Sequence, residues 1–163
     1  MNKQLLVAQL IEKLESSART AETESDAAAI EARDGATPGE RVENSRTALE
    51  FSRISRAQAL RAKELRTAIA ALKKFEPRPL GARACVELGA LIEVEDESGQ
   101  GQTLFLAPFG AGEELIGPGG DGFFKVVTPQ SPIGSAVLGK REGEGASARI
   151  RGELREWTVL WVG

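Results

Sequence analysis

The chain has 163 residues, 41% of them apolar and 28% charged, with a formal net charge of −3. That is the composition of a folded chain and not of a disordered one. No apolar run approaches the ~20 residues that a membrane helix needs. Histidine is absent, which excludes Ser–His and Cys–His catalysis, zinc sites built on imidazole, and the usual proton shuttle near neutral pH. Catalysis by this chain alone would have to rest on carboxylates, lysine or serine.

The stretch Met1–Glu15 mixes Leu with Lys, Gln and Glu and lacks a secretory pattern, so a cytoplasmic location and no membrane partner are expected. From Lys3 to Arg33 there is neither Gly nor Pro, and Ala, Leu, Glu and Gln favour helix. Val7, Leu10, Leu14, Ala21 and Ala28 recur at heptad-like spacing, with apolar bulk shrinking along the helix. Asp34-Gly35-Ala36-Thr37-Pro38-Gly39 is dense in turn residues. A second helix is predicted from about Pro38 to Phe75. Phe51, Ile54, Leu65, Ala68, Leu72 and Phe75 form its seam, which Gln58 and Arg61 weaken. Two long helices joined by a short turn fold back as an antiparallel coiled-coil hairpin. At 1.5 Å per residue the second is roughly 55 Å long, so the hairpin should project from its body.

Charge is unevenly spread. Residues 1–34 carry four basic and seven acidic groups, residues 40–76 nine and five, and residues 77–163 eight and twelve. The positive charge sits in the second helix, which suggests local contact with an acidic partner and not general nucleic-acid binding.

Glu76-Pro77-Arg78-Pro79 ends the helix, because proline cannot continue it. Beyond it the period changes to two. Strands are predicted over Val86–Glu95, Gln102–Ala107, Phe123–Val127, Ala146–Arg151 and Trp157–Val162. One short helix intervenes, with Ser131 as N-cap, Pro132 at its first position and Gly139 as stop. The fold class is therefore α+β: a hairpin over residues 1–76, with its tip at about 34–43, and a β-rich domain over residues 77–163. Gly110–Gly122 lacks the Lys-Ser/Thr of a phosphate loop and reads as a loop between strands. The lone cysteine, Cys85, reads as a small buried residue. Trp157 and Trp161 share a strand face in this reading and serve packing.

Chemistry could sit at the tip. Glu40 and Glu43 are three apart at a helix start, so their carboxylates share a face. Thr37-Pro38-Gly39-Glu40 fits a capping box, with Glu40 reaching back to the Thr37 backbone, and spacing alone favours that structural reading. Arg46, Arg53, Arg56 and Lys63 line one side of the second helix, either as a solvated face or as a contact for phosphates.

The segment Gly39-Glu40-Arg41-Val42-Glu43-Asn44-Ser45 resembles the acid-x-x-Glu-Asn-small motif of the bacterial Gre transcript-cleavage factors. Val127-Thr128-Pro129-Gln130-Ser131-Pro132-Ile133-Gly134-Ser135-Ala136-Val137-Leu138-Gly139-Lys140 is similar to that family's C-terminal signature. The resemblance implies an FKBP-like C-terminal domain that docks at the rim of the RNA polymerase secondary channel, through Pro129, Ser131, Pro132, Ile133, Gly134, Leu138 and Gly139. It implies a hairpin passing down that channel, with Glu40 and Glu43 helping to hold the Mg²⁺ of the polymerase active site. The polymerase itself would then cut a backtracked RNA. The chain would be no enzyme, have no cofactor of its own, and act as a monomer on core polymerase, with Arg46, Arg53 and Arg56 near the nascent RNA 3′ end. Where the family carries Glu-Tyr after the motif, this chain has Arg46-Thr47. Some relatives occupy the channel and regulate without cleavage, and that alternative stays open. The FKBP-like fold also suggests a prolyl isomerase, but six Phe, two Trp and no Tyr do not suggest a proline pocket.

Overall fold

The computed structural model describes residues 2–34, 41–81, 83–117, 119–120 and 122–163, with the backbone alone for 34 and 41–44. The elements run α1 (Lys3–Asp34), α2 (Arg41–Leu72), β1 (Leu91–Asp96), β2 (Gly101–Leu106), β3 (Glu114–Ile116), β4 (Phe123–Val127), α3 (Pro132–Val137), β5 (Gly145–Ile150) and β6 (Glu153–Val162). The fold is α+β: a helical hairpin followed by one six-stranded mixed sheet with a short helix. The chain divides into two compact units, Glu12–Ala71, and Met1–Ile11 together with Leu72–Gly163. No helix among the described residues is long and apolar enough to cross a membrane.

Within the first unit α1 and α2 run antiparallel. The heptad expectation for α1 holds across the chain, since Val7, Leu10, Leu14, Ala21 and Ala28 are all buried. Past Leu14 the buried positions are Ala18, Ala21, Ala28, Ala62 and Ala68, joined by Ile69. An alanine methyl contributes about 0.8 kcal/mol where a leucine contributes 1.5–3, so polar contacts fix the register instead. Arg66 donates two hydrogen bonds to Glu22, each 2.9 Å. Gln58 donates to Glu24 at 2.6 Å, and the Ser25 hydroxyl to the Ser55 carbonyl at 3.0 Å. The Arg66 bond holds the Glu22 carboxyl below its ordinary pKa. Two expectations for α2 need correction. Ile54 is exposed and Ala62 and Ile69 are buried in the seam, because the helix phase follows Ser55 and Ala62. Arg61 is exposed, off the seam, and Gln58 is half-buried. The described helix ends at Leu72, and Phe75 follows in a turn closed by its own N–H to the Leu72 carbonyl.

The sheet order is β3-β4-β2-β1-β6-β5, antiparallel throughout except for the parallel pair β2–β4. Alternation along β1 gives it two working faces. Ile92 and Val94 join Leu104, Leu106, Val127, Val137, Trp157 and Val159 in one cluster. On the other face Leu91, Phe105, Leu115 and Val126 are also fully buried. The start of α1 lies against that second face. Gln9 exchanges two hydrogen bonds with the backbone of Ile116, at 2.9 and 3.0 Å. A Cβ on Gly110 would meet a Leu10 methyl at 2.6 Å. The Lys3 ammonium donates to the Arg78 carbonyl at 2.9 Å with only 8% of the residue exposed. Burial lowers its pKa, and the Glu87 carboxylate partly offsets that.

Turn chemistry sets the strand ends. The Asp96 carboxylate accepts from the Ser98 amide, the Ser98 hydroxyl and the Gln100 amide. β5 and β6 are joined by Arg151 and Gly152, both at positive φ, as a tight hairpin of right-handed twist requires. The predicted strands are right in kind and shifted in extent. The first begins at Leu91 and not Val86, because the chain turns at Glu87–Ala90, where Gly89 has φ +90° and lies close to Pro77. The last begins at Glu153, ahead of Trp157. Glu114–Ile116 forms β3 inside the expected loop, paired with β4. Cys85 is exposed, since its neighbour Val86 turns inward. Trp161 is on the opposite face from Trp157. The register between β1 and β6 slips by one residue, so that Trp161 pairs with exposed Glu93, while Val159 and Val162 line up with buried Val94 and Ile92.

Candidate functional site

The segment from Val127 to Lys140 is built around Ser131. Its hydroxyl oxygen accepts from the Gly134 amide at 3.2 Å and the Thr128 amide at 3.1 Å. The same hydroxyl donates to the Thr128 carbonyl at 2.8 Å. That satisfies an orphan donor of α3 and ties the helix start to the end of β4. Pro132 takes the first helical position, where a missing N–H costs nothing. Gly134 is buried with no space for a side chain, because a Cβ would run into the Thr128 carbonyl. Gly139 ends the helix at φ +77°. Its amide donates to the Val86 carbonyl, and the Val86 amide to the Lys140 carbonyl, both at 2.8 Å. Sequence reasoning placed Val86 in a strand and missed this clamp, which joins residues 54 apart in the chain.

The sequence-predicted docking residues thus separate into two kinds. Ser131, Gly134 and Gly139 shape the backbone. Val137 is buried in the sheet cluster and Ile133 packs against it. Pro132 and Leu138 face solvent, and Pro129 is half-buried. Leu138 is the C-cap residue, beyond the helical phase, and stays 43% exposed. Beside the segment, Leu88, Pro108, Phe109, Pro129 and Gln130 bound an apolar cleft of about 420 Å³. Leu88 and Phe109 are exposed. No local signal distinguishes them, because strand pairing brings their loops together.

Glu40 lies outside the described residues, as do residues 35–39, where the turn and the capping box were expected. Glu43 is within α2 and its side chain lies outside them. Arg46, Arg53, Arg56 and Lys63 are all exposed on α2. Among the described residues no three His, Cys, Asp or Glu side chains are grouped so as to hold a metal ion.

No family model matches the sequence, and no curated protein does. Solved structures similar to the chain include GreA factor homolog 1 (Gfh1) of Thermus thermophilus, 18% identical over 96% of this chain and 94% of that one, with a TM-score of 0.37. Gfh1 of Thermus aquaticus is 18% identical over 95% and 92%, with a TM-score of 0.37. The transcription elongation factor GreA/GreB of Nitrosomonas europaea is 18% identical over 60% and 77%, with a TM-score of 0.36.

Proposed function

We propose that this chain is a transcription elongation factor that binds bacterial core RNA polymerase through its secondary channel and stimulates the polymerase's own cleavage of backtracked RNA. The observation that carries the reading is the Val127–Lys140 segment. Its likeness to the Gre signature extends over fourteen consecutive residues. The order of parts, a helical hairpin and then a β-rich unit with one short helix, agrees with that family's plan, and the motif that includes Glu43 runs into the first turn of α2.

In this reading the β-rich, FKBP-like unit docks at the channel rim. Pro129, Pro132 and Leu138 meet the polymerase, and Ser131, Gly134 and Gly139 hold the segment in shape for them. Ile133 holds α3 to the sheet. The hairpin brings Glu40 and Glu43 to the polymerase Mg²⁺, which takes oxygen ligands and is often held by one or two carboxylates. A rod bearing two carboxylates needs no histidine for this. Arg46, Arg53 and Arg56 face the extruded RNA 3′ end. The factor acts as a monomer, in the cytoplasm, with no cofactor of its own.

A second reading, a channel-binding regulator without cleavage, is favoured by Arg46-Thr47 where the family carries Glu-Tyr. One experiment separates the two. Purified chain is pulled down with core polymerase and then added to a stalled, backtracked elongation complex in Mg²⁺. Binding with faster release of 3′ RNA fragments is the expected result. Binding without faster release establishes the regulator. Failure to bind core polymerase removes both.

A further inference from the structure

Between Arg46 and Lys63, six exposed residues of α2 follow one another at intervals of 3, 4, 3, 4 and 3: Arg46, Leu49, Arg53, Arg56, Leu60 and Lys63. Such spacing keeps a set of side chains on one helix face for about five turns. It is also the spacing of a coiled-coil seam. This is not the face that meets α1, which uses Ser55, Gln58, Ala62 and Arg66. Leu49 is 54% exposed and Leu60 57%. Among the described residues none of the four cations is ion-paired. Glu50 and Glu64 lie along one border of the stripe and none of its six positions is acidic.

Phosphates alone would occupy the cations and leave both leucines in water. Leucines interleaved with cations at this spacing match a helix that carries leucines on one side and carboxylates beside them. Its apolar side would cover Leu49 and Leu60, and its carboxylates would take paired hydrogen bonds from the guanidinium groups. We propose that this face of α2 seats an acidic amphipathic helix of a partner protein, laid along the hairpin as a third strand. The proposal does not depend on the polymerase reading. RNA and the acidic helix would compete for the same arginines.

The test titrates the full chain with a labelled helical peptide of three heptads, with Leu at a and d and Glu at e and g. A second peptide replaces each Glu with Lys. Variants are Leu49→Ser/Leu60→Ser and Arg53→Gln/Arg56→Gln; all four positions are exposed, and circular dichroism checks that the hairpin is intact. The Glu peptide should bind saturably and the Lys peptide should not. The leucine pair should weaken binding by about tenfold per leucine, from the burial each one loses, and the arginine pair should weaken it further as salt is lowered. An oligouridylate should displace the peptide and be indifferent to the leucine change. No saturable binding, equal binding of both peptides, or an affinity that ignores the leucines would overturn the proposal. So would an oligouridylate whose own affinity falls with the leucine change, because the face would then be a nucleic-acid site.

Discussion

Gly134→Ala tests whether the Ser131 knot is as rigid as its geometry implies. The added methyl meets a backbone carbonyl, that of Thr128, which cannot rotate out of the way as a side chain could. That carbonyl also accepts from the Ser131 amide and hydroxyl. To admit the methyl, α3 must swing away from β4 and loosen those bonds. Overpacking of this kind costs about 1–3 kcal/mol and loss of a cap about 1 kcal/mol. Alanine returns up to about 1 kcal/mol in helix propensity over glycine, so a net loss of about 1–3 kcal/mol is expected. Both tryptophans, Trp157 and Trp161, lie in the sheet unit, and Trp157 belongs to the same cluster as Val137. Urea unfolding followed by tryptophan fluorescence therefore reports this unit. Ser131→Ala should cost about 1 kcal/mol by itself. The double variant should lose less than the two singles together, because they strain one network. A Gly134→Ala protein as stable as the parent would show that α3 shifts freely, and the argument for a preformed segment would fail with it.

Lys3→Met should preserve stability near neutral pH and flatten its pH dependence in base. Folding lowers the Lys3 pKa below 10.5, so the native state binds fewer protons there and stability should rise as pH climbs through the folded value toward 10.5. The variant should lack that rise in urea midpoints, and with no tyrosine in the chain the alkaline window is simple to read. Glu22→Gln should remove an acid-sensitive part of hairpin stability. That part is present above the ordinary carboxylate pKa and lost as pH falls through the depressed value; helicity at 222 nm in low and high salt measures it, and a salt-independent loss would argue against the ion pair. Glu40→Ala and Glu43→Ala should each abolish most stimulated cleavage while core-polymerase binding stays near wild type. Their combination should add little, as for groups that serve one ion, and cleavage surviving in the double variant would leave the two acids as helix-start residues only.

What was legible in the sequence was what neighbouring residues decide. Ser131, Pro132 and Gly139 start and stop α3 by local chemistry, and the observed cap and positive φ agree. The buried α1 positions follow from period alone. β3 was not legible, because three residues among glycines become a strand only through β4. Nor was the side on which Trp161 falls, because the slipped register arises between two strands that are about 65 residues apart. Cys85 looked like core in an apolar tripeptide, yet turn geometry and not hydropathy decides which of its neighbours faces in. At the tip, spacing alone favoured a capping role over a metal role, and only the motif resemblance pointed to the metal.

The division of the chain has a consequence for how the molecule is assembled. The sheet unit is discontinuous: Met1–Ile11 must meet residues that begin at Leu72, with the 60 residues of Glu12–Ala71 spliced between them. As a floppy loop that insertion would cost roughly 3.6 kcal/mol in closure entropy. Each helix of the hairpin is made of contacts close in sequence and can form early, so the hairpin should act as a folding clamp that delivers Leu6 and Leu10 to the sheet face of Leu91 and Phe105. A growing chain can make this clamp before any strand exists. Mutations that loosen its alanine seam should therefore slow folding of the sheet unit.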